Sequence, residues 1–436
     1  MQNYPKIPDL QHEIRMITCY SQLKHEYGAK GVAALLKRAQ RELKSVVEEL
    51  NKLPDSPAVA KREPNDLKGI KALRPKGPRK LWDSFNAKQY RDRLAGAFLG
   101  RMAGCTLGAP VEFRTIEHMG NLAKENKIPF PPENYWPRVA EPFELRYNYS
   151  PREAYTLAKM NGVPVDDDIV YTLLGLLVVE DHGPGFTVAD NGKSWLKYLD
   201  YACTAERVAL ENLKAGVPAV KAAEINNPYC EWIGADIRSD PWGYLAPAWP
   251  ERAAEMAYND AYLTHRRNGI YGEMYFSAAI AAAFALNDPM EALQLALSEI
   301  PKDCDMARGV KWALEVAPKI KNYRQARDTV EKKFEGMNPV HTINNACLTI
   351  FGIAMGGTDF TRVIGETVAM GLDNDCTAAT AGSIVGAVVG KGGIPEYWYK
   401  PFNNKVHSYL LNNPLFKIND LLKRFETQAV RVWNGE

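Results

Sequence analysis

The sequence predicts an all-α fold, and three observations support this prediction. Strand signals are scarce along the 436 residues, whereas apolar residues at helical spacing and helix-capping residues recur throughout. Two apolar segments, 91–113 and 371–390, carry small residues at every fourth position, which places those residues on one helix face. Glycine is about 1 kcal/mol less favourable than alanine inside a helix, so both stripes need a packing reason. We expect the two helices to cross closely in one core.

The first stripe lies in a segment that resembles a membrane span. Arg101 stands in its middle, where an arginine costs about 2.5–3.5 kcal/mol in lipid. We therefore expect a buried helix and no membrane partner. Pro110 ends this helix, and Glu112 follows it. The two stripes consist of Gly96, Gly100, Gly104 and Gly108, and of Ala378, Gly382, Gly386 and Gly390.

The composition is that of a globular protein with a large core, with 46% hydrophobic and 24% charged residues. A formal net charge of +2 is too small to indicate a nucleic-acid partner. The seven cysteines are scattered and form no C-x-x-C pair, so we expect reduced thiols and no structural zinc. The N-terminal residues lack the charged and apolar regions of a signal peptide. Together these features predict a cytoplasmic protein.

Residues 1–80 are predicted to form a helical extension and a proline-rich basic arm, ahead of a catalytic domain over residues 81–436. The extension carries a narrow apolar seam, typical of a helix that docks either on its own catalytic domain or on a partner protein. From 51 to 80 the chain has five prolines and nine lysines or arginines, which indicates an extended arm. The seam consists of Val32, Leu36, Ala39, Leu43, Val46 and Leu50.

Residues 114–165 are rich in proline, tyrosine and tryptophan without a sustained period, and we interpret them as a long ordered loop. Helical patterns dominate downstream. The predicted helices cover 194–214, 251–263, 288–300, 305–318, 322–335, 340–355 and 360–370.

Acidic residues precede two of the apolar helices. Asp166, Asp167 and Asp168 stand before the first, and Asp373 and Asp375 open the glycine-striped second. Adjacent carboxylates repel one another, so beside buried helices they need a cation. Oxygen ligands without His or Cys pairs suit Mg²⁺, Mn²⁺ or Ca²⁺ rather than zinc.

These residues by themselves leave two kinds of enzyme open. One is a two-metal hydrolase, in which the ions activate a water molecule. The other is a diphosphate-handling enzyme such as a terpene synthase, which also joins aspartate clusters to helices. Neither the D-D-x-x-D nor the N-x-x-x-S-x-x-x-E motif of terpene synthases occurs here.

Four motifs in order resemble the ADP-ribosylglycohydrolase family, over residues 90–398. They are LAGAFLGRMAGCTLGAPVE, the aspartate triplet 166–168, IGADIRSDPWGY with a later Thr264-His265, and LDNDCTAATAGSIVGA. The resemblance implies an all-α orthogonal helical bundle with a binuclear Mg²⁺ or Mn²⁺ cleft. It also implies hydrolysis of the bond between the ribose anomeric carbon of ADP-ribose and a modified side chain.

The resemblance also implies roles for individual residues. Glu112 and Asp168 are the expected catalytic residues. The expected metal ligands are Asp166, Asp167, Asp168, Asp373, Asp375 and Cys376. The expected substrate-binding residues are Gly234, Ala235, Asp236, His265, Gly269 and Tyr271. Two ligands depart from the family, since Asp166 and Cys376 both stand where it has threonine, and a thiol is a poor ligand for Mg²⁺.

The expected substrate is an ADP-ribosylated protein, with arginine preferred to serine as the acceptor, or an ADP-ribose-containing small molecule. The alternative is an immunity protein that neutralises an ADP-ribosylating toxin. Residues 1–80 would then bind the partner protein, with or without hydrolase activity in the remainder of the chain.

Overall fold

The computed structural model describes Tyr4 and residues 7–436. The chain divides into two compact units, Met1–Lys61 and Arg62–Glu436, here called the N-terminal unit and the main unit. The sequence predicted a boundary at residue 80 instead.

Helices make up most of the described chain, as the sequence predicted. In chain order they are α1 (Leu10–Glu26), α2 (Val32–Lys52), α3 (Pro57–Arg62), α4 (Leu67–Leu73), α5 (Ala87–Gly108), α6 (Ile116–Asn126), α7 (Asp167–His182), α8 (Val188–Tyr198), α9 (Thr204–Lys214), α10 (Asp240–Leu245), α11 (Pro250–Ala261), α12 (Asn268–Ala283), α13 (Pro289–Ala296), α14 (Asp305–Val316), α15 (Tyr323–Lys333), α16 (Thr342–Gly356), α17 (Phe360–Ala369), α18 (Asn374–Val389) and α19 (Ile418–Asn434).

Strands are few among the described residues and form two short antiparallel hairpins. The first pairs β1 (Leu145–Arg146) with β2 (Ser150–Pro151), and the second pairs β3 (Lys405–His407) with β4 (Leu415–Lys417). The all-α prediction is therefore confirmed.

The N-terminal unit contains α1 and α2, and neither helix has a buried residue. The predicted apolar seam lies along α2. Leu36, Leu43 and Leu50 of this seam are 40%, 45% and 60% exposed.

Residues 62–80 belong to the main unit by their contacts. Arg74 and Arg79 both bind the carboxylate of Glu299, at 2.7 and 2.8 Å, and the Glu299 side chain is fully buried. Lys71 pairs with Glu255 nearby. The predicted extended arm is wrong in one respect, because the segment contains the short helices α3 and α4. An Asp66 cap at the start of α4 explains the second of them.

The core of the main unit is built from helices that are apolar on all sides. Every residue of α12 is buried, and so is every residue of α18 except its last. Such helices are internal by composition, whereas the amphipathic α14, α17 and α19 cover them with one apolar face each.

Two predictions of local structure are wrong. The predicted helix 194–214 is two helices, α8 and α9, because Leu199 leaves the helix in an extended conformation and buries its side chain. The predicted loop 114–165 contains α6, where Ile116, Met119 and Leu122 form one buried face. This face is only three turns long and lies beside a proline-rich stretch, which hides its period.

In the part of the chain that the structure describes, one helix is long and apolar enough to cross a membrane, Ala87–Val111. Its apolar window is entirely buried inside the protein.

Candidate active site

The two glycine-striped helices, α5 and α18, cross antiparallel at backbone contact. A Cβ on Gly104 would lie 2.0 Å from the Ala378 carbonyl oxygen, and one on Gly386 would lie 2.2 Å from the Gly96 oxygen. This confirms the predicted close crossing. At its end, a Cβ on Gly108 would lie 2.5 Å from the Cα of Asp375. The C-terminus of α5 is thereby pressed against the first turn of α18, which brings Glu112 next to the aspartates.

The crossing assembles two overlapping sets of carboxylates. One is Glu112, Asp373 and Asp375, and the other is Asp166, Asp168 and Asp375. Within each set, one oxygen per residue lies within 4.8 Å of the others. The two aspartate clusters therefore meet in space, as the glycine stripes indicated, whereas metal binding by them remains a prediction.

The aspartate triplet is shaped by the start of α7. Asp166 is the N-cap residue, and its Oδ1 accepts a hydrogen bond from the Asp168 N–H at 3.2 Å. Asp167 Oδ1 accepts from the Tyr147 hydroxyl at 2.7 Å and from the same N–H at 3.0 Å.

Arg101, in the middle of α5, holds the first turn of α7 in place. Its fully buried guanidinium donates to the Asp168 carbonyl at 2.6 Å and pairs with the Asp240 carboxylate at 2.6 Å. A third contact, at 3.2 Å, reaches Asp168 Oδ1. Arg101, the residue that led us to expect a buried helix instead of a membrane span, is thus bonded to the acidic cluster.

Arg146 lies between the two carboxylate sets. Its Nη1 donates to Glu112 at 2.7 Å, and its Nη2 donates to Asp166 and to Asp375, each at 2.9 Å. A further bond from Nη1 reaches the Ala109 carbonyl at 2.7 Å. The guanidinium therefore binds members of both sets at once.

The carboxylates open on a cavity of about 460 Å³. Its acidic lining comprises Glu112, Asp167, Asp168, Glu206, Asp373 and Asp375. The rest of its wall includes Phe113, Arg146, Tyr147, Arg152, Tyr201, Cys203, Trp232 and Gly234. The cavity wall thus combines carboxylate oxygens with aromatic rings.

Comparisons with known proteins identify the family of the chain. The family model described as ADP-ribosylglycohydrolase matches residues 86–430. The chain belongs to the ADP-ribosylglycohydrolase family. A solved structure titled "ADP-ribosylglycohydrolase-related protein complex" superposes with a TM-score of 0.50 at 21% identity, covering 80% of this chain and 99% of the other. No curated protein matches the chain.

The site of this family member has the chemistry of a divalent-cation site. Burial, with neighbouring carboxylates adding to it, raises the pKa of Glu112 and of Asp166 to about 7 and that of Asp375 to about 6. Asp375 Oδ1 is buried and has no hydrogen-bond partner. Such an oxygen is costly without a cation, so the donor set fits Mg²⁺ or Mn²⁺.

The predicted substrate-binding residues are only partly brought to the cavity. Gly234 lines it, whereas Ala235 and Asp236 are buried in the same 3₁₀ helix, with Asp236 accepting from Thr342 at 2.6 Å. The reason is that this helix turns one face to the cavity and the other to the core.

The other three predicted substrate residues lie outside the cavity lining. His265 is buried beside Thr264, and burial together with Arg238 lowers its pKa well below the usual value, so the ring is neutral. Gly269 packs against the Cys230 carbonyl. Tyr271 donates its hydroxyl hydrogen to the Pro64 carbonyl at 2.5 Å, under residues 62–80.

Cys376 is buried in the first turn of α18. Among the residues that the structure describes, its sulfur joins neither carboxylate set. Burial and the nearby Asp168 and Asp373 carboxylates raise its pKa well above the usual value, so it is a neutral thiol. Its role as a ligand remains a prediction.

Several cavity residues were missed by sequence reasoning, notably Arg146, Arg152, Tyr201 and Glu206. Arg146 lies in the segment interpreted as a loop, and Tyr201 lies where one continuous helix was predicted. The one usable signal for Arg146 was the excess of carboxylates, which requires a cation without indicating where in the chain it is.

Proposed function

We propose that this protein is a divalent-metal-dependent hydrolase that removes ADP-ribose from a modified side chain. Arginine is preferred to serine as the acceptor, and an ADP-ribose-containing small molecule is a further possible substrate. The single observation that supports this best is the meeting of two carboxylate sets, from α7 and α18, on one cavity with aromatic walls.

When bound, Mg²⁺ or Mn²⁺ supplies a polarised water and a binding point for the ribose hydroxyls. Glu112, Asp373 and Asp375 would hold it. Glu112 is also the expected acid–base group, since it lies on the cavity wall and Arg146 orients its carboxylate through a bond of 2.7 Å. Asp168 is oriented by Arg101, which suits the second catalytic role expected for it.

The remainder of the cavity suits the rest of ADP-ribose. Tyr201 and Trp232 offer aromatic faces for the adenine ring. Arg152 offers a guanidinium for the diphosphate, and it is positioned by bonds to Glu144 at 2.7 Å and to the Pro110 carbonyl at 3.0 Å. Gly234 also lines the cavity, packed so closely against the Glu206 carboxylate that a Cβ would lie 2.3 Å from Glu206 Oε1.

The test is release of ADP-ribose from arginine-modified and serine-modified protein, with EDTA, Mg²⁺ or Mn²⁺. We expect metal-dependent release that is faster from arginine. Asp373→Asn should lower the rate at least about 100-fold. The matched control is Asp200→Asn, an exposed aspartate paired with Lys214, which should keep full activity. No release from any of these substrates would contradict the proposal.

The exposed seam on α2 favours a second function for the N-terminal unit. Leu36, Leu43, Val46 and Leu50 are all at least 40% exposed within the chain. We propose that this seam binds a partner protein, and the immunity role is one form of this. Deleting residues 1–61 should abolish the complex and leave ADP-ribose release intact. Retention of the partner by the truncated chain would argue against the seam.

We also propose a cytoplasmic location. All seven cysteines are unpaired, which suits a compartment that keeps thiols reduced. Cell fractionation with the native protein tests this directly.

A further inference from the structure

Arg146 is a buried arginine whose guanidinium binds several carboxylates at once. Its side chain is 7% exposed. Its two Nη atoms bind three carboxylates from three segments, those of Glu112, Asp166 and Asp375, and also the Ala109 carbonyl. Nη1 thus has two acceptors, and Nη2 lies within 3.2 Å of the Tyr147 hydroxyl in addition to its two carboxylates.

The position of Arg146 is fixed by the hairpin that carries it. In β1 and β2, Arg146 pairs with Ser150, whose Oγ accepts from the Val165 N–H at 3.1 Å, directly before the aspartate triplet. The guanidinium also lies near the rings of Tyr147 and Tyr155, at 5.2 and 5.7 Å from their centroids. The hairpin and the two tyrosine rings already hold the guanidinium, so it loses little additional conformational entropy when it binds the carboxylates.

These contacts divide the two carboxylate sets unequally. Both oxygens of Asp166 have partners, because Oδ1 accepts from the Asp168 N–H and Oδ2 accepts from Arg146. In the other set, Asp375 Oδ1 is buried without a hydrogen-bond partner, and the Asp373 side chain does not cap α18. Asp166 is therefore compensated by Arg146, whereas one oxygen of Asp375, a residue shared by both sets, is still without a partner.

We propose that Arg146 takes the place of one of the two divalent ions, so that this chain binds a single ion at Glu112, Asp373 and Asp375. The guanidinium supplies one fixed positive charge to Asp166 and to one oxygen of Asp375. The inference concerns the metal site of the proposed function. Metal content is measured without turnover, so the two can fail independently.

The test is the Mn²⁺ content of the full chain after EDTA treatment, reloading with excess Mn²⁺ and gel filtration, measured by mass spectrometry of the metal. The wild-type chain should hold about one ion, and Arg146→Met should hold about two, because Asp166 is released for the second site. Arg146→Lys, which keeps the charge, should remain near one. The matched control is Arg114→Met, since Arg114 pairs with Glu141 at the surface instead of with the two sets, and it should also remain near one.

A second pair of variants tests the single-ion proposal even if Arg146→Met does not fold. Asp166→Asn should retain the single ion, because Asp166 oxygens serve Arg146 and a backbone N–H, whereas Asp373→Asn should lose it. Two ions in the wild-type chain would overturn the proposal. Equal loss of Mn²⁺ in Asp166→Asn and Asp373→Asn would overturn it as well, and so would a single ion in folded Arg146→Met.

Discussion

At the scale of single residues, the carboxylate oxygens of the acidic cluster differ in whether an arginine of the protein already binds them. Asp168 is bound by Arg101 through its carbonyl and its carboxylate, and Asp166 is bound by Arg146. Asp375 has one compensated and one bare oxygen. A bare buried carboxylate oxygen is costly, so the cluster is completed by a cation at the bare positions.

The first residue-scale prediction concerns Arg101. Replacing it with Met leaves Asp240 and Asp168 buried without their guanidinium, so Arg101→Met should lower the free energy of unfolding by about 3–5 kcal/mol. Urea denaturation of the metal-free protein measures this. The control is Arg91→Met in the same helix, whose guanidinium is 66% exposed where it pairs with Glu426 and should add little stability. Similar losses in both variants would contradict the assigned role.

The second residue-scale prediction concerns Cys376. Because its sulfur joins neither carboxylate set, Cys376→Thr should leave the ratio of Mg²⁺-supported to Mn²⁺-supported activity unchanged. The new hydroxyl is buried and should cost about 1–3 kcal/mol of stability where it finds no partner. Both quantities are measured on the same variant. A shift of activity towards Mg²⁺ with unchanged stability would instead place this side chain on the metal, as in the family pattern.

At the scale of elements, the site depends on one helix crossing. Helices α5 and α18 touch backbone to backbone along the two stripes, and the last contact, at Gly108, sets how far Glu112 lies from Asp373 and Asp375. Side chains at the crossing would move the helices apart and separate Glu112 from the aspartates. The same glycines therefore determine both packing and site geometry.

The element-scale prediction is that Gly386→Leu destabilises the protein by at least about 1–3 kcal/mol through overpacking. The atom that its Cβ would meet, the Gly96 carbonyl oxygen at 2.2 Å, belongs to the backbone and cannot rotate away. The melting temperature measures the effect. A matched control is Gly120→Leu in α6, where a Cβ would meet nothing within 4 Å and where loss of a helical glycine is favourable. An unchanged melting temperature for Gly386→Leu would rule out the close crossing.

At the scale of the whole molecule, the chain consists of two units with different degrees of burial. The N-terminal unit exposes its apolar seam, whereas the main unit includes residues 62–80 through the buried Glu299. A boundary at residue 80 implies that residues 62–80 add little to the stability of the main unit. A boundary at residue 61 implies that they contribute to it.

Two truncations distinguish these boundaries. Removing residues 1–61 should leave the melting temperature of the main unit nearly unchanged. Removing residues 1–80 also deletes Arg74 and Arg79, which leaves Glu299 buried and unpaired at a cost of about 3–5 kcal/mol. Calorimetry on both truncated chains measures the difference. Equal stability of the two would favour the boundary at residue 80.

Local pattern determined the parts of this protein that depend on neighbouring residues in the chain. Four-residue glycine spacing was enough to predict a close crossing of α5 and α18, because a helix repeats its faces at that interval. Carboxylates before apolar helices were enough to predict an oxygen-rich cluster, composed of Asp166, Asp167, Asp168, Asp373 and Asp375 together with Glu112. The shorter face of α6 was missed because its period lasts only three turns.

Only the tertiary structure decided which cation reaches the cluster from elsewhere in the chain. Arg146 comes from a short hairpin whose position depends on pairing with residues 150–151 and on the bond between Ser150 and Val165. Tyr271 is covered by residues 62–80, and His265 is turned into the core beside Arg238, so neither lines the cavity. Contacts between residues far apart in sequence leave no local period, which is why the sequence determined the helices and the carboxylates but not the charge that compensates them.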